Sequence, residues 1–436
     1  MKRFATLIFT ILLLLSHAMG QERRDSVIVS LVTCWPGAEV YELCGHEAIR
    51  VRGVNAEGQP VDSVWNYGTF DFAQPNFIYR FVKGETDYML SSYPFAWFMP
   101  EYMSAGRRVV EQDLNLSREE ASRLHRMLRD EARPPHNVYR YNYVLDNCAT
   151  RIIERLDQAA DERVIYPDTI AFGTFRREMR AYHRDYPWYQ FGIDLALGSG
   201  IDRPITGREE MFVPVEMYQK AAGAHFADGR PLVSATRTLW EGVPDATLGP
   251  THWSAIPLVC CSVFFVLVLL VCWLQWRRVV IYRALYSVWF AMLGLTGCLL
   301  AFLVFISSHE ATSPNLLLLW LNPLQLVVAV GVWFRRTWKW PVACMMVYNI
   351  IVLTVLLIVW PFQRQSANAA FFPLMGATLA LAAVYAIISP KISYNKKCNT
   401  RKNEEVCNLG ADRSGRARRG GTAGSRTAKA RGGNRR

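Results

Sequence analysis

YNYVLDNCATRIIERL, residues 141–156, changes its period in the middle. Tyr141, Tyr143 and Leu145 alternate as in an extended segment, whereas Ile152, Ile153 and Leu156 recur at helical spacing. Asp146 is a suitable N-cap for that helix, which puts Cys148 in its first turn. Free N–H groups and aligned peptide dipoles there favour a thiolate over a thiol. A small buried residue packing the helix onto a sheet is the plainer alternative for any single cysteine.

A nucleophilic cysteine needs a base, and six histidines lie between residues 21 and 254. His125 falls inside a helix opened by a Ser117-to-Glu120 capping box and stopped by Pro134 and Pro135, and its charged neighbours suggest a surface position. His136, His183 and His225 have polar, loop-like surroundings, and His252 adjoins the apolar half of the chain. His46 is different. In GHEAIRV, residues 45–51, the chain turns on Gly45 into a strand whose Ile49 and Val51 share one face while His46 takes the other, a setting suited to a general base. The next strand-like run, residues 61–72, offers Asn66 and Asp71 to hold the imidazole in its working tautomer, Asn66 being preferred. A zinc hydrolase would need a second histidine at position 50, which is Arg50, and no Gly-x-Ser-x-Gly elbow is present. The constellation therefore calls for no metal and no cofactor.

Beyond residue 255 the composition shifts. Five charge-free stretches follow, Ile256–Trp276, Leu285–Ile306, Leu316–Phe334, Val342–Trp360 and Ala370–Ser389, each long enough for a membrane-spanning helix. Arg277, Arg278 and Arg283 follow the first, Arg335, Arg336 and Lys339 the third, and Lys391, Lys396 and Lys397 the fifth, whereas the other two connections carry little charge. The positive-inside rule then places residues 21–254 outside the cytoplasm. An N-terminal Lys2–Arg3, an apolar run to Leu15 and small residues at Ala18 and Gly20 form an export signal that demands the same side. The expected order is a signal peptide (1–20), a periplasmic domain (21–254), a five-helix transmembrane region (255–390) and a basic cytoplasmic tail (391–436) in the inner membrane. That tail, from Lys396 on, carries thirteen Lys and Arg against three acids, so it supplies +10 of the net charge of +12. Basic residues confined to a Gly-rich terminus suit anionic lipid head groups and argue against a nucleic-acid partner.

Of ten cysteines, Cys34, Cys44 and Cys148 lie in the exported block. Two of three can pair in an oxidising compartment; Cys34 with Cys44 is the easier pair by spacing and leaves Cys148 free. Connectivity stays open.

His first, then Asp-Asn-Cys opening a helix about a hundred residues later, resembles the permuted papain-like, NlpC-type proteins, among them lecithin:retinol acyltransferase. More closely, TCWPGAEVYELCGHEAIRV (33–51), VWNYGTFDF (64–72), YPFAW (93–97) and YRYNYVLDNCATRI (139–152) resemble the periplasmic domain of the Lnb-type lipoprotein N-acyltransferases. The layout of the membrane part is similar too. The resemblance implies an α+β, papain-like exported domain that moves an acyl chain from a membrane phospholipid to the α-amine of a diacylglyceryl-lipoprotein's N-terminal cysteine. Carried over by motif, Cys148 is the nucleophile and acyl carrier, His46 its base and Asn66 the orienting residue. Cys44, before the Gly-His, stands where an aromatic is expected.

Two other readings compete. The same Cys and His could serve a membrane-tethered cysteine peptidase or amidase acting on cell-wall peptide, with water replacing the amine. In a non-enzymatic scaffold Cys148 would be structural only. Tyr93–Phe98 (YPFAWF) is expected to dip into the membrane interface, line an acyl groove or pack on the core.

Overall fold

The computed structural model describes residues 26–392 except 56–57, 168–172, 244–246, 248 and 335–336; the expected signal segment, Arg335, Arg336 and almost all of the basic tail lie outside the described residues. Residues 26–254 form an antiparallel sheet with helices on both faces. Its strands are β1 (Ser26–Cys34), β2 (His46–Val54), β3 (Pro60–Thr69), β4 (Asp87–Pro94), β5 (Val109–Leu114), β6 (Val138–Arg140) and, after the small pair β7 (Val164–Ile165) and β8 (His225–Phe226), β9 (Val233–Trp240). The sheet order is β6-β4-β3-β2-β1-β5-β9. β1 lies inside the sheet between β2 and β5, so nearly every residue of it is buried and its apolar run does not alternate with polar residues.

The helices of the exported part are α1 (Phe77–Lys83), α2 (Phe95–Ser104), α3 (Arg118–Glu131), α4 (Cys148–Ala159), α5 (Phe175–Tyr182), α6 (Pro187–Ala196) and α7 (Pro214–Gly223). α3 and α4 bury Leu124, Leu128, Ile152, Ile153 and Leu156 against Ile49, Val51, Trp65 and Tyr67 of β2 and β3. On the other face, Phe98 and Tyr102 of α2 pack on Val32, Ala48 and Val64. The expected capping box is present: Glu120 N–H donates to the Ser117 hydroxyl, and the Glu120 carboxylate accepts from Ser117 N–H. The expectation that His125 is a surface residue is wrong. It is buried, its ring edge against Trp65, because its position on α3 faces the sheet.

In the membrane part, four of the five expected stretches are single long apolar helices: α8 (Pro257–Arg278), α9 (Arg283–Phe305), α11 (Lys339–Val359) and α12 (Phe371–Ile392). The third, Leu316–Phe334, is interrupted. A 3-10 turn at Leu316–Leu319 gives way at Asn322 and Pro323, and only α10 (Gln325–Gly331) is α-helical. Proline removes a donor and clashes with the preceding turn. The break is then satisfied internally: Gln325 and Asn349 exchange two amide hydrogen bonds of 2.8 and 3.0 Å, and Gln325 Nε2 also donates to the Trp320 carbonyl. Gly297 on α9 allows the approach, since a Cβ there would lie 2.5 Å from the Asn322 backbone.

The two parts are stitched together. Arg180 Nη1 donates to Ser366 Oγ at 2.7 Å, Asn368 Nδ2 to Asp194 Oδ2 at 3.0 Å, and Asn315 Nδ2 to the Leu195 carbonyl at 3.1 Å. Ser308 N–H donates to the Lys83 carbonyl, and Tyr79 of α1 meets Phe302 of α9 at 6.3 Å between ring centroids. The aromatic segments that meet the membrane helices include α1 and α6, whose Phe191 lies 5.0 Å from Phe371 between ring centroids. Tyr93–Phe98 instead ends β4 and opens α2, with Phe98 buried and Trp97 exposed.

Candidate active site

β2 enters the sheet through Gly45, whose φ of +82° only glycine adopts readily, and a Cβ there would lie 2.5 Å from the Cys34 carbonyl. That turn sets His46 at the first position of β2, and Asn66 sits on the neighbouring strand β3. His46 Nε2 lies 3.0 Å from Asn66 Oδ1. The N–H is therefore on Nε2, and the lone pair of Nδ1 is left free to take a proton. Asp71, the alternative orienting residue, accepts from Ala73 N–H in an exposed turn and has no part in this pair.

Cys148 opens α4. The N-cap is Asn147 rather than Asp146: Asn147 Oδ1 accepts from the N–H groups of Ala149 and Thr150, both at 3.0 Å, and its Nδ2 donates to the carbonyls of Tyr143 and Phe212. Asp146 instead pairs with Arg151 at 2.6 Å. Backbone N–H groups of Glu47, Ala149 and Cys148 itself act on the Cys148 sulfur and favour its charged form. Burial outweighs them and pushes the thiol up to about 11, so the expected thiolate is not the resting form. Burial likewise carries His46 down to about 4, with the nearby Arg107 charge acting in the same direction against the Asn66 hydrogen bond. At neutral pH the resting groups are a thiol and an imidazole, both uncharged.

Of the three residues named from the sequence, the fold brings His46 and Asn66 into contact and sets Cys148 beside the residue that follows His46. No hydrogen bond joins the thiol to the imidazole among the described residues. Cys148 packs with Ile49, Val51 and Trp65, while the His46 ring lies parallel to Tyr102 at 6.4 Å on the other side of the sheet. Cys34 is the cross-strand partner of His46, fully buried and held well above the usual thiol range by burial. All three exported cysteines are free thiols; the Cys44 sulfur lies 3.2 Å from the Tyr143 hydroxyl.

Sequence reasoning missed two neighbours. Glu47 is fully buried on the strand that carries His46, takes a hydrogen bond from Thr33 at 2.8 Å, and is held by burial well above the usual carboxylate range. An acid on a strand buried on both faces was the available signal. His183, expected in polar, loop-like surroundings, is buried at the end of α5, with Nδ1 2.7 Å from Gln190 Oε1 and Nε2 3.4 Å from the Tyr143 hydroxyl. Its partner Gln190 lies on α6, whose Leu195 carbonyl accepts from Asn315 of the membrane part.

No curated protein and no solved structure matches the chain. Two family matches cover it in order: residues 19–176 match the Lnb N-terminal periplasmic domain and residues 250–393 the Lnb transmembrane domain. The segment between them completes the sheet through β9 and carries most of α5 and all of α6. With both characteristic domains present and joined in that order, this integral membrane protein with a periplasmic domain belongs to the Lnb-type lipoprotein N-acyltransferase family.

Proposed function

We propose that the protein transfers an acyl chain from a membrane phospholipid to the α-amine of the N-terminal, diacylglyceryl-modified cysteine of lipoproteins, through a thioester on Cys148. The observation that carries this reading is the His46–Asn66 pair at the entrance of β2, beside the helix start that holds Cys148, on a domain fixed to membrane helices. His46 Nδ1 takes the thiol proton as sulfur attacks the ester carbonyl, so no charged pair need exist at rest. Apolar surroundings make a preformed thiolate costly, and transfer during attack avoids it. At rest the His46 ring and the Cys148 thiol face opposite sides of the sheet, so this transfer requires the start of β2 to re-aim the imidazole toward the sulfur when substrate binds.

The sulfur–acyl bond forms as the ester C–O bond breaks, and the lysophospholipid leaves with the proton from His46. The lipoprotein amine then attacks the thioester, the amide forms, and the thiol is restored. In this reading the N–H groups of Glu47, Ala149 and Cys148, which act on the sulfur at rest, turn to the oxyanion in both steps.

The membrane layout supports five crossings of the inner membrane, with the third interrupted. The connections at 306–315 and 363–370 both bond to the exported domain, which supports a crossing by the interrupted third stretch before α11 returns. A topology reporter fused after Ser389 then reports cytoplasmic, whereas a periplasmic signal contradicts five crossings.

The test of function is tandem mass spectrometry of a lipoprotein's N-terminal peptide from cells lacking N-acyltransferase activity, with the wild type or Cys148→Ala supplied. An added acyl chain that vanishes in the variant supports the reading. No mass change with a folded wild type rejects it and favours the peptidase or amidase reading, which cell-wall fragment analysis then decides.

A further inference from the structure

A cavity of about 790 Å³ opens where the exported domain meets the first and last membrane helices. Arg180, Arg184 and Gln190 line it from the domain, Leu258 from the first turn of α8, and Asn368 from just before α12. It lies at the domain-side ends of α8 and α12, and its two sides differ in chemistry. The α8 side is apolar, with Ile256, Pro257 and Leu258, whereas the domain side is polar, with Arg180, Arg184 and Gln190 beside the carboxylates of Asp185 and Asp194, of which Asp194 is already held by Arg176, Arg180 and Asn368.

Gln190 is the informative residue. It is 7% exposed, its Oε1 faces His183 Nδ1 at 2.7 Å, and its Nε2 has no partner although buried. A buried amide donor without an acceptor keeps its full desolvation cost, so a structure that holds one beside a cavity keeps a place for an acceptor. The cations add to it. The Arg184 side chain is 84% exposed, with Asp185 only 3.9 Å away as partner, and Arg180 bonds Asp194 and Ser366 while still lining the cavity. Guanidinium groups and an amide N–H lining one cavity opposite an apolar wall match a phosphate oxygen cluster carried on a glycerolipid.

We propose that this cavity binds the phosphate of a glycerophospholipid headgroup, with Gln190 Nε2, Arg180 and Arg184 as donors and the start of α8 against the glycerol and upper acyl chain. The proposal deepens the acyl-transfer reading and rests on it for the lipid's fate, while the binding itself stands apart. From the cavity, hydrogen bonds run through His183 and Tyr143 to Cys44, which connects the headgroup position with the surroundings of Cys148.

The experiment uses the full chain, delipidated in detergent, and native mass spectrometry to count retained lipid. The probes are phosphatidylethanolamine, diacylglycerol of the same chains, and inorganic phosphate. Gln190→Glu keeps the oxygen that faces His183 and replaces the free donor with a second oxygen; Arg184→Glu reverses an exposed charge. The wild type should retain phosphatidylethanolamine over diacylglycerol, and each variant should lose about tenfold in retention at an unchanged melting temperature, the scale of one charge-assisted hydrogen bond. Equal retention by the wild type and both variants overturns the proposal, and so does equal retention of the two lipids. Binding of inorganic phosphate that responds to the variants while lipid retention does not reassigns the cavity to a free anion and overturns its lipid half. Lipid retained through Gln190 with no acyl mass ever found on Cys148 sinks the acyl-transfer reading and leaves the headgroup site standing. An acylated Cys148 with variant-insensitive retention does the reverse.

Discussion

The exported domain and the membrane region bury polar groups in opposite ways. The domain buries charge in matched pairs: Arg176 is fully enclosed between Asp194 at 3.0 Å and Asp202 at 2.8 Å, and Lys220 meets Glu210 at 2.7 Å. The membrane region buries neutral groups: the Gln325–Asn349 amide pair, and the Trp289 and Trp320 indoles that share the Thr378 hydroxyl. A domain that folds in water can desolvate two charges together, but a segment that must enter lipid carries groups that were never charged. The candidate active site follows the membrane style although it lies in the domain. His46, Cys148 and Glu47 are all pushed by burial toward their uncharged forms.

The sharpest way to break this comparison is to exchange the two thiols near His46. Cys148→Ala should reduce N-acylation of a lipoprotein peptide by at least about a thousandfold, the scale of removing a covalent nucleophile. Cys34→Ala should retain most of it by the same mass-spectrometric readout, since a fully buried thiol admits no ester. The opposite pattern would move the chemistry to the other face of the sheet. Next in size, Asp194→Ala leaves Arg176 in the interior without one of its two carboxylates and should cost about 3–5 kcal/mol, seen as a fall in the denaturant midpoint. Asn66→Ala frees the imidazole to rotate and should lower kcat about 10–100-fold with little change in melting temperature; an unaffected kcat removes Asn66 from the site. Smallest is Gln325→Leu with Asn349→Leu, expected near 1 kcal/mol or less because the pair competes only with other neutral arrangements in lipid.

The neutral-site view also makes a pH prediction. A histidine whose folded value is lowered to about 4 binds its proton only near that pH, so the base survives as the medium is acidified from 7 to 5. The acid limb of kcat/KM should then fall near pH 4 rather than near the ordinary histidine value of about 6.5. A limb near 6.5 would mean that the working imidazole is solvated or paired with a thiolate.

What the sequence disclosed was what local patterns encode. The Cys148 helix, the Ser117 capping box and the Gly45 turn into β2 each follow from a few adjacent residues, and the His46–Asn66 contact follows from pairing two neighbouring strands. The misses share a cause in distant partners. Asn147 displaces Asp146 as N-cap because its amide also reaches the Phe212 carbonyl, and nothing near position 147 announces Phe212. His125 and His183 look solvated in the linear chain but face a sheet and a docked helix. The third membrane stretch is apolar enough for a continuous helix, and only Asn322-Pro323 and the complementary amide at Asn349 mark its interruption. The protonation of Cys148 was misjudged because a helix N-terminus is local and burial is not.

The bonds from Arg180 to Ser366 and from Asn368 to Asp194 clamp the exported domain to the helix connections, so it does not swing on a leash. Cys148 therefore keeps a constant altitude above the lipid surface. For the proposed acyl transfer, substrates anchored in the outer leaflet would find it by wandering in a plane, and the encounter would depend on their surface density rather than on any concentration in the surrounding water. Lengthening that clamp by a few residues would raise the thiol out of reach without touching a single atom around it.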